Sequence, residues 1–176
     1  MSLVIEECKI SGYPARTREN IVNSDLTIAL AVNFDSAGEK LTKRLCKELD
    51  KPYIAIDLNN TVITEERVIG ICNKINSFGF KFIRLNIAGN GIYSLPESQE
   101  FYNGFLVRLI NLINKGIKGT IVEIRSGGQT GTDEAGIIAA FILDLPRIVL
   151  APKGWLFRNK EGIDIRDEKL FKARFK

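Results

Sequence analysis

At 176 residues, with 45% hydrophobic and 26% charged, the chain has the size and composition of one folded domain that can bury a core without disulfides or a structural metal. Histidine is absent, which excludes Ser-His-Asp and Cys-His catalysis and every histidine-ligated metal site, so an enzyme built from this chain must move protons with carboxylates, lysines or the substrate itself. The net charge of +4 is spread along the chain rather than gathered in stripes, which suits an anionic small ligand and speaks against a nucleic-acid partner.

The opening MSLVIEECKI has neither the basic start nor the unbroken apolar run of a secretory signal, so a cytoplasmic, reducing location is expected. Cys8, Cys46 and Cys72 then read as free, core-facing thiols, without CxxC spacing. No apolar run reaches the roughly 20 residues of a membrane span, so no membrane association is expected.

Five Val- and Ile-rich runs predict strands: Leu26 to Val32, Tyr53 to Leu58, Phe80 to Ala88, Thr120 to Arg125 and Arg147 to Leu150. None alternates polar with apolar, as expected of strands buried on both faces. Between the first two, Leu41, Leu45 and Leu49 make one apolar stripe on a helix whose other face is charged. The next helix starts at Thr64, with Glu65 and Glu66 complementing its dipole, buries Val68, Ile69, Cys72 and Ile75, and ends near Gly79. A third is signalled by the capping-box spacing of Ser94 and Glu97, with Pro96 early in the helix, and runs to Gly116. Lys115 to Gly119 is a tight polar connection. A fourth helix, Thr132 to Asp144, is apolar almost all round and should be deeply packed. The charged segment Arg158 to Lys176 reads as an irregular flap ending in a short helix. This alternation predicts an α/β fold: a single Rossmann-like domain over residues 1–176, with a doubly wound sheet of about five mainly parallel strands and helices on both faces.

The stretch most informative about chemistry is IVEIRSGGQTGTDEAG, a strand running into Ser126, Gly127, Gly128, Gln129, Thr130, Gly131, Thr132 and Asp133 and then directly into a helix. Glycines let the backbone approach an anion, and the free N–H groups and positive dipole end of the next helix point at it. The loop is neither GxGxxG nor a P-loop, whose lysine is missing. In doubly wound sheets ligands sit outside the carboxyl ends of the strands. Small and polar residues follow the other strands too: Ser36 and Gly38 after the first; Asn86, Ala88, Gly89, Asn90 and Tyr93 after the third; Pro152, Lys153 and Gly154 after the fifth. Lys153 is the candidate fixed cation. If the protein is an enzyme, Asp133 or Glu134 would act as general acid or base, although their place in a first helical turn favours the ionised form.

Several segments resemble the molybdenum-cofactor carrier-like family, Rossmann-like proteins related to the Lonely Guy nucleotide-binding group. They are SGGQTGTD at 126–133, APKGW at 151–155, YPARTRENIVNSD at 13–25, AGEKLT at 37–42, KPYIAIDL at 51–58 and LNIAGNGIY at 85–93. In the family the SGGQTG strand opens the domain and the RTxxN segment, here Arg16, Thr17 and Asn20, follows the PKG loop. Here RTxxN comes first, so the resemblance implies a circular permutation. It also implies that Arg16, Thr17 and Asn20 lie beside the glycine loop, and that the ligand is a phosphorylated pterin, such as molybdopterin, or a nucleotide. Gln129 and Thr130 separate Gly128 from Gly131, unlike the Lonely Guy pattern PGGxGTxxE.

Three readings follow. The protein carries, senses or sequesters a phosphorylated nucleotide-like or pterin molecule at the glycine loop; or it hydrolyses an N-glycosidic or phosphate bond of such a molecule; or it is a scaffold or assembly protein with an unused pocket. Homo-oligomer formation stays open.

Overall fold

A computed structural model describes residues 2–176. Six strands form one parallel sheet in the order β1-β6-β5-β4-β2-β3: β1 Leu3–Glu7, β2 Leu26–Ala31, β3 Tyr53–Asp57, β4 Phe82–Gly89, β5 Thr120–Ser126 and β6 Arg147–Ala151. Five of them are the expected runs. The sixth, β1, pairs in parallel with β6 from Leu3↔Arg147 to Glu7↔Ala151. It is an edge strand with exposed glutamates, and half-burial hides it from a search for continuous apolar runs.

Helices cover both faces. The helices α3 (Glu65–Ser77), α4 (Gln99–Gly116) and α5 (Thr132–Ile142) pack on one another on one side; α1 (Tyr13–Val22) and α2 (Ala37–Glu48) pair on the other. The core lies where Ile28, Leu30, Leu85, Ile87 and Ile124 of the sheet meet Tyr102, Leu106 and Leu109 of α4. A smaller cluster, Ile21, Leu45 and Cys46, seats α1 and α2. All three cysteines are buried free thiols. No helix among the described residues is long and apolar enough to cross a membrane.

Thr64 caps α3 as expected, its side chain accepting from the Arg67 N–H at 3.2 Å, but Ile69 on that helix is half exposed. The expected start of α4 at Ser94 is wrong. Ile92–Ser94 is a single 3-10 turn, and Ser98 caps the helix by accepting from the Phe101 N–H at 3.2 Å. The residue before a proline is pushed out of the helical region, and Leu95 accordingly sits extended and buried ahead of Pro96. Helix α5 is buried through Ala140, but Phe141 and Ile142 are exposed, with the Arg147 guanidinium stacked on the Phe141 ring at 4.6 Å. The segment expected to be an irregular flap instead forms an antiparallel hairpin, β7 Leu156–Arg158 and β8 Asp164–Arg166, followed by α6 Glu168–Ala173. Phe171 and Phe175 are fully buried behind the glycine loop.

Candidate ligand-binding cleft

The carboxyl ends of the strands open into a cavity of about 530 Å3. The end of β4 and the turn after it, from Asn86 to Gly91, form its floor; the starts of α1 and α2 form two walls; Gly127, Gln129, Asp133, Tyr93 and Arg158 close the rest. Doubly wound folds use this edge because side chains from several loops converge there.

Pro14, the second residue of α1, brings a φ already suited to a first turn, and the helix aims Arg16, Thr17 and Asn20 at the cavity. Arg16 is 9% exposed; its Nη1 donates to the Gly127 carbonyl at 2.7 Å and lies 3.8 Å from Asp133 Oδ2, while its Nε has no partner. Asn20 Oδ1 accepts from Arg125 Nε at 3.3 Å. Asn90 staples the ends of β2 and β4: its Oδ1 accepts the Val32 N–H at 2.9 Å and the Asn33 N–H at 3.2 Å. Gly38, in the first turn of α2, borders open space where a Cβ would point.

The glycine loop is folded tightly on itself. The Gly128 N–H donates to Ser126 Oγ at 3.2 Å, the Gly131 N–H to Gln99 Oε1 at 2.6 Å, and the Thr132 N–H to the Asn90 carbonyl at 3.2 Å. The Gln129 N–H donates to Asp133 Oδ2 at 3.3 Å, and the Gly127 N–H faces the same carboxyl. The chain's own Asp133 therefore sits where the start of a helix would receive an anion. Gln129 and Thr130 hold the hairpin: Gln129 Nε2 donates to the Leu156 carbonyl at 2.9 Å, its Oε1 accepts from the Arg158 N–H at 3.2 Å, and Thr130 Oγ1 donates to the Arg158 carbonyl at 2.5 Å.

Of the residues singled out in the sequence, Arg16, Thr17, Asn20, Gly38, Asn90, Gly127, Gln129 and Asp133 meet on this cavity. Ser126, Gly128, Thr130, Gly131 and Thr132 lie behind it as its frame, and Glu134 pairs at 2.7 Å with Arg174 on the far side of the loop. Lys153 is exposed and outside the lining, and the neighbouring Gly154 N–H donates to Glu7 Oε1 at 2.5 Å. The arginines that reach the cavity are Arg16 and Arg158.

Helix-start placement was expected to favour ionised Asp133 and Glu134. Burial outweighs it: desolvation pushes both carboxyls up, opposed at Asp133 by Arg16 and the Gln129 and Gly127 N–H groups, and at Glu134 by Arg174.

Glu39 was not singled out in the sequence. It is 4% exposed, lines the cavity, and its Oε2 has no partner. Burial pushes its pKa up to about 7, helped by the nearby Asp133 and opposed by the Asn90 amide. The sequence signal at this position, Ser36 followed three residues later by Glu39, is capping-box spacing, and the Ser36 side chain does accept from the Glu39 N–H at 3.4 Å. The pattern hides the burial because it says nothing of which wall the first turn of α2 faces. Two aromatic rings stand at the mouth. Arg16 lies 5.4 Å from the Tyr13 ring centre and Arg158 lies 5.1 Å from that of Tyr93.

The model of the circularly permutated YpsA SLOG family matches residues 2–110. The chain belongs to this family. The SLOG match takes in α1, the start of α2 and the end of β4, three sides of the cavity, and stops before the glycine loop. The permuted order in the family's description is the order the sequence motifs imply. Among solved structures, the crystal structure of the "Putative molybdenum carrier protein" from Syntrophus aciditrophicus SB is similar at 27% identity, with a TM-score of 0.48, over 60% of this chain and 62% of that one. The SLOG chain thus spans less than two thirds of that protein's length. No curated protein matches it.

Proposed function

We propose that the protein binds a phosphorylated nucleotide- or pterin-like molecule in the cleft between α1, α2 and the glycine loop, carrying or sensing it in the cytoplasm. The observation that carries this reading is the pair of buried polar atoms without partners on one cavity, Arg16 Nε and Glu39 Oε2. Such atoms are costly to leave unpaired, and a polar ligand would pair them. Arg16 and Arg158 supply charge for a phosphate, and Tyr13 and Tyr93 offer faces for a planar ring. In this reading the glycine loop shapes the wall and holds Asp133 and the hairpin in place, while the arginines take the anion.

The hydrolase reading has one observation in its favour: a carboxyl near neutrality at Glu39 is suited to general acid–base work. Asp133 and Glu134 are both committed to arginine partners, which leaves Glu39 without a second free acid.

One experiment separates the two. Native mass spectrometry of freshly purified protein, then calorimetry and product analysis with nucleoside monophosphates, cyclic nucleotides, dinucleotides and molybdopterin, should show saturable binding of intact ligand that Arg16→Ala weakens at least about ten-fold. Release of free base or phosphate, abolished by Glu39→Gln, would establish the hydrolase instead; no binding across the panel would reject the cleft as a site for this ligand class.

A further inference from the structure

We propose that Glu39 selects the ring of the ligand, taking a heterocycle edge with two neighbouring N–H donors, a ring N–H beside an exocyclic amine, over an edge that presents an acceptor there. This rests on the cleft reading above and adds which ring the cleft accepts.

A glutamate at the third position of a helix commonly reaches back to the N–H of its cap, but Glu39 Oε2 is buried and bonded to nothing. Nor does it neutralise a cation. The ionisable groups around it are Asp133 at the start of α5 and Tyr53 on β3, whose phenol it helps push up to about 12, while Arg16 of α1 is turned to Asp133 and Gly127. The uncharged neighbour is Asn90. Because both backbone N–H groups of Val32 and Asn33 go to Asn90 Oδ1, its amide cannot flip, and its NH2 side faces Asn33 O and the Glu39 carboxyl. The acid thus faces a fixed amide donor on one side and keeps an acceptor, Oε2, unused. A carboxylate accepts only, and its two oxygens match two parallel N–H donors.

Guanine-type purines and pterins share that donor pair; hypoxanthine and lumazine rings lack the exocyclic amine, and adenine puts an acceptor beside it. Tyr13 and Tyr93 at the mouth would stack any of these rings, so discrimination falls to the edge. A site built to pair a donor rejects the analogue lacking it because its own polar atom is left unpaired. Pairing two N–H donors favours the ionised carboxylate, so binding should release protons at neutral pH.

The test is calorimetry on the whole protein with GMP, IMP and AMP in one arm and pterin and lumazine in the other, in two buffers of different ionisation enthalpy. The expected result is that GMP binds about ten-fold or more tighter than IMP and AMP, or pterin likewise over lumazine, with proton release. The better arm names the source of the ring. Glu39→Gln should bring the ratio close to one and abolish the proton release, and Glu39→Asp should lower the ratio with the charge kept; thermal melts confirm that each variant is folded. Equal binding within both arms, of GMP with IMP and AMP and of pterin with lumazine, or a ratio that Glu39→Gln leaves intact, would overturn the role of Glu39 and leave the cleft reading standing. Absence of binding in both arms would overturn both.

Discussion

Arg16 Nη1 donates to the Gly127 carbonyl at 2.7 Å across 111 positions of sequence. The same guanidinium approaches Asp133, so one arginine ties the family-matched α1 to the glycine loop.

Removing Arg16 should therefore be felt in stability before any ligand is added. Arg16→Ala leaves the Asp133 carboxyl buried with only N–H groups to hold it, and breaking a buried pair from one side costs about 3 to 5 kcal/mol. Adding Asp133→Asn to Arg16→Ala should recover part of the loss. Urea unfolding of both variants measures this, and a single mutant as stable as the parent would show that the pair contributes nothing.

Glu39 gives the apo protein a pH-dependent stability. Its carboxyl titrates near pH 7 in the fold against an ordinary value of 4.5, so the folded state holds the proton over a range where the unfolded chain has lost it. Stability from this group is complete below about pH 4.5, falls as pH rises, and is gone above about pH 7, a difference of about 3 kcal/mol by linkage. Glu39→Gln should flatten that slope and raise the melting temperature most at pH 8. A parent protein whose Glu39-dependent stability is equal at pH 5 and pH 8 would refute the shift.

The sheet was legible because β2 to β6 are short runs rich in Ile, Val and Leu, although only β2 is buried at every residue, and β3, the other edge strand, buries Ile54 and Ile56 while Ala55 and Asp57 face out. β1 was not, since Glu6 and Glu7 on an exposed edge look like a tail. Helix α1 was hidden for a related reason: Arg16 and Asn20 are polar yet buried, with Thr17 half-buried between them, and a search for an apolar stripe passes over a helix whose inward face serves a cavity. The composition of the glycine loop showed that the chain bends tightly before a helix. It could not show that Gln99, Asn90 and Asp133 would join Ser126 in taking up the loop's N–H groups, because those three come from α4, the turn after β4 and the first turn of the loop's own helix. Glu39 is the sharpest case, since the same four residues serve equally as an exposed cap or as a wall of the cleft.

Gly128 is a packing position. Its φ is +69°, and a Cβ there would lie 2.5 Å from Phe171 Cζ and 2.6 Å from Val149 Cγ1. Gly128→Ala should lose about 2 to 4 kcal/mol from left-handed backbone strain and overpacking together, and a valine would lose more, so neither isolates a ligand contact. Gly38→Ala, on the cavity with nothing in reach of its Cβ, should instead gain about 0.5 to 1 kcal/mol through helix propensity. Denaturant midpoints of the two alanine variants should move in opposite directions; a shared direction would mean that the loop's packing has been misread.

The pair behind the loop, Arg174 with Glu134, should behave as one unit. Arg174 Nη1 lies 2.7 Å from Glu134 Oε2, its Nη2 donates to the Gly128 carbonyl at 2.7 Å, and its guanidinium stacks on Phe157, Phe171 and Phe175 at 4.2, 4.7 and 4.9 Å. Arg174→Met keeps much of the stem's packing but leaves a buried carboxyl and a buried carbonyl unpaired, for a loss of about 3 to 5 kcal/mol at neutral pH. Glu134→Gln keeps a hydrogen-bond acceptor and should lose less, about 1 to 2 kcal/mol. In the double variant no buried charge remains without its partner, so the two losses should not add, and the coupling between them should be about 1 to 3 kcal/mol. Because burial raises the Glu134 carboxyl and Arg174 opposes that rise, Arg174→Met should also be less harmful at pH 5, where the orphaned acid can take up a proton, than at pH 8. A double-mutant cycle by chemical denaturation at both pH values measures this; additive losses, or a penalty for Arg174→Met that does not change with pH, would mean that the aromatic stack rather than the ion pair holds α6 to the loop.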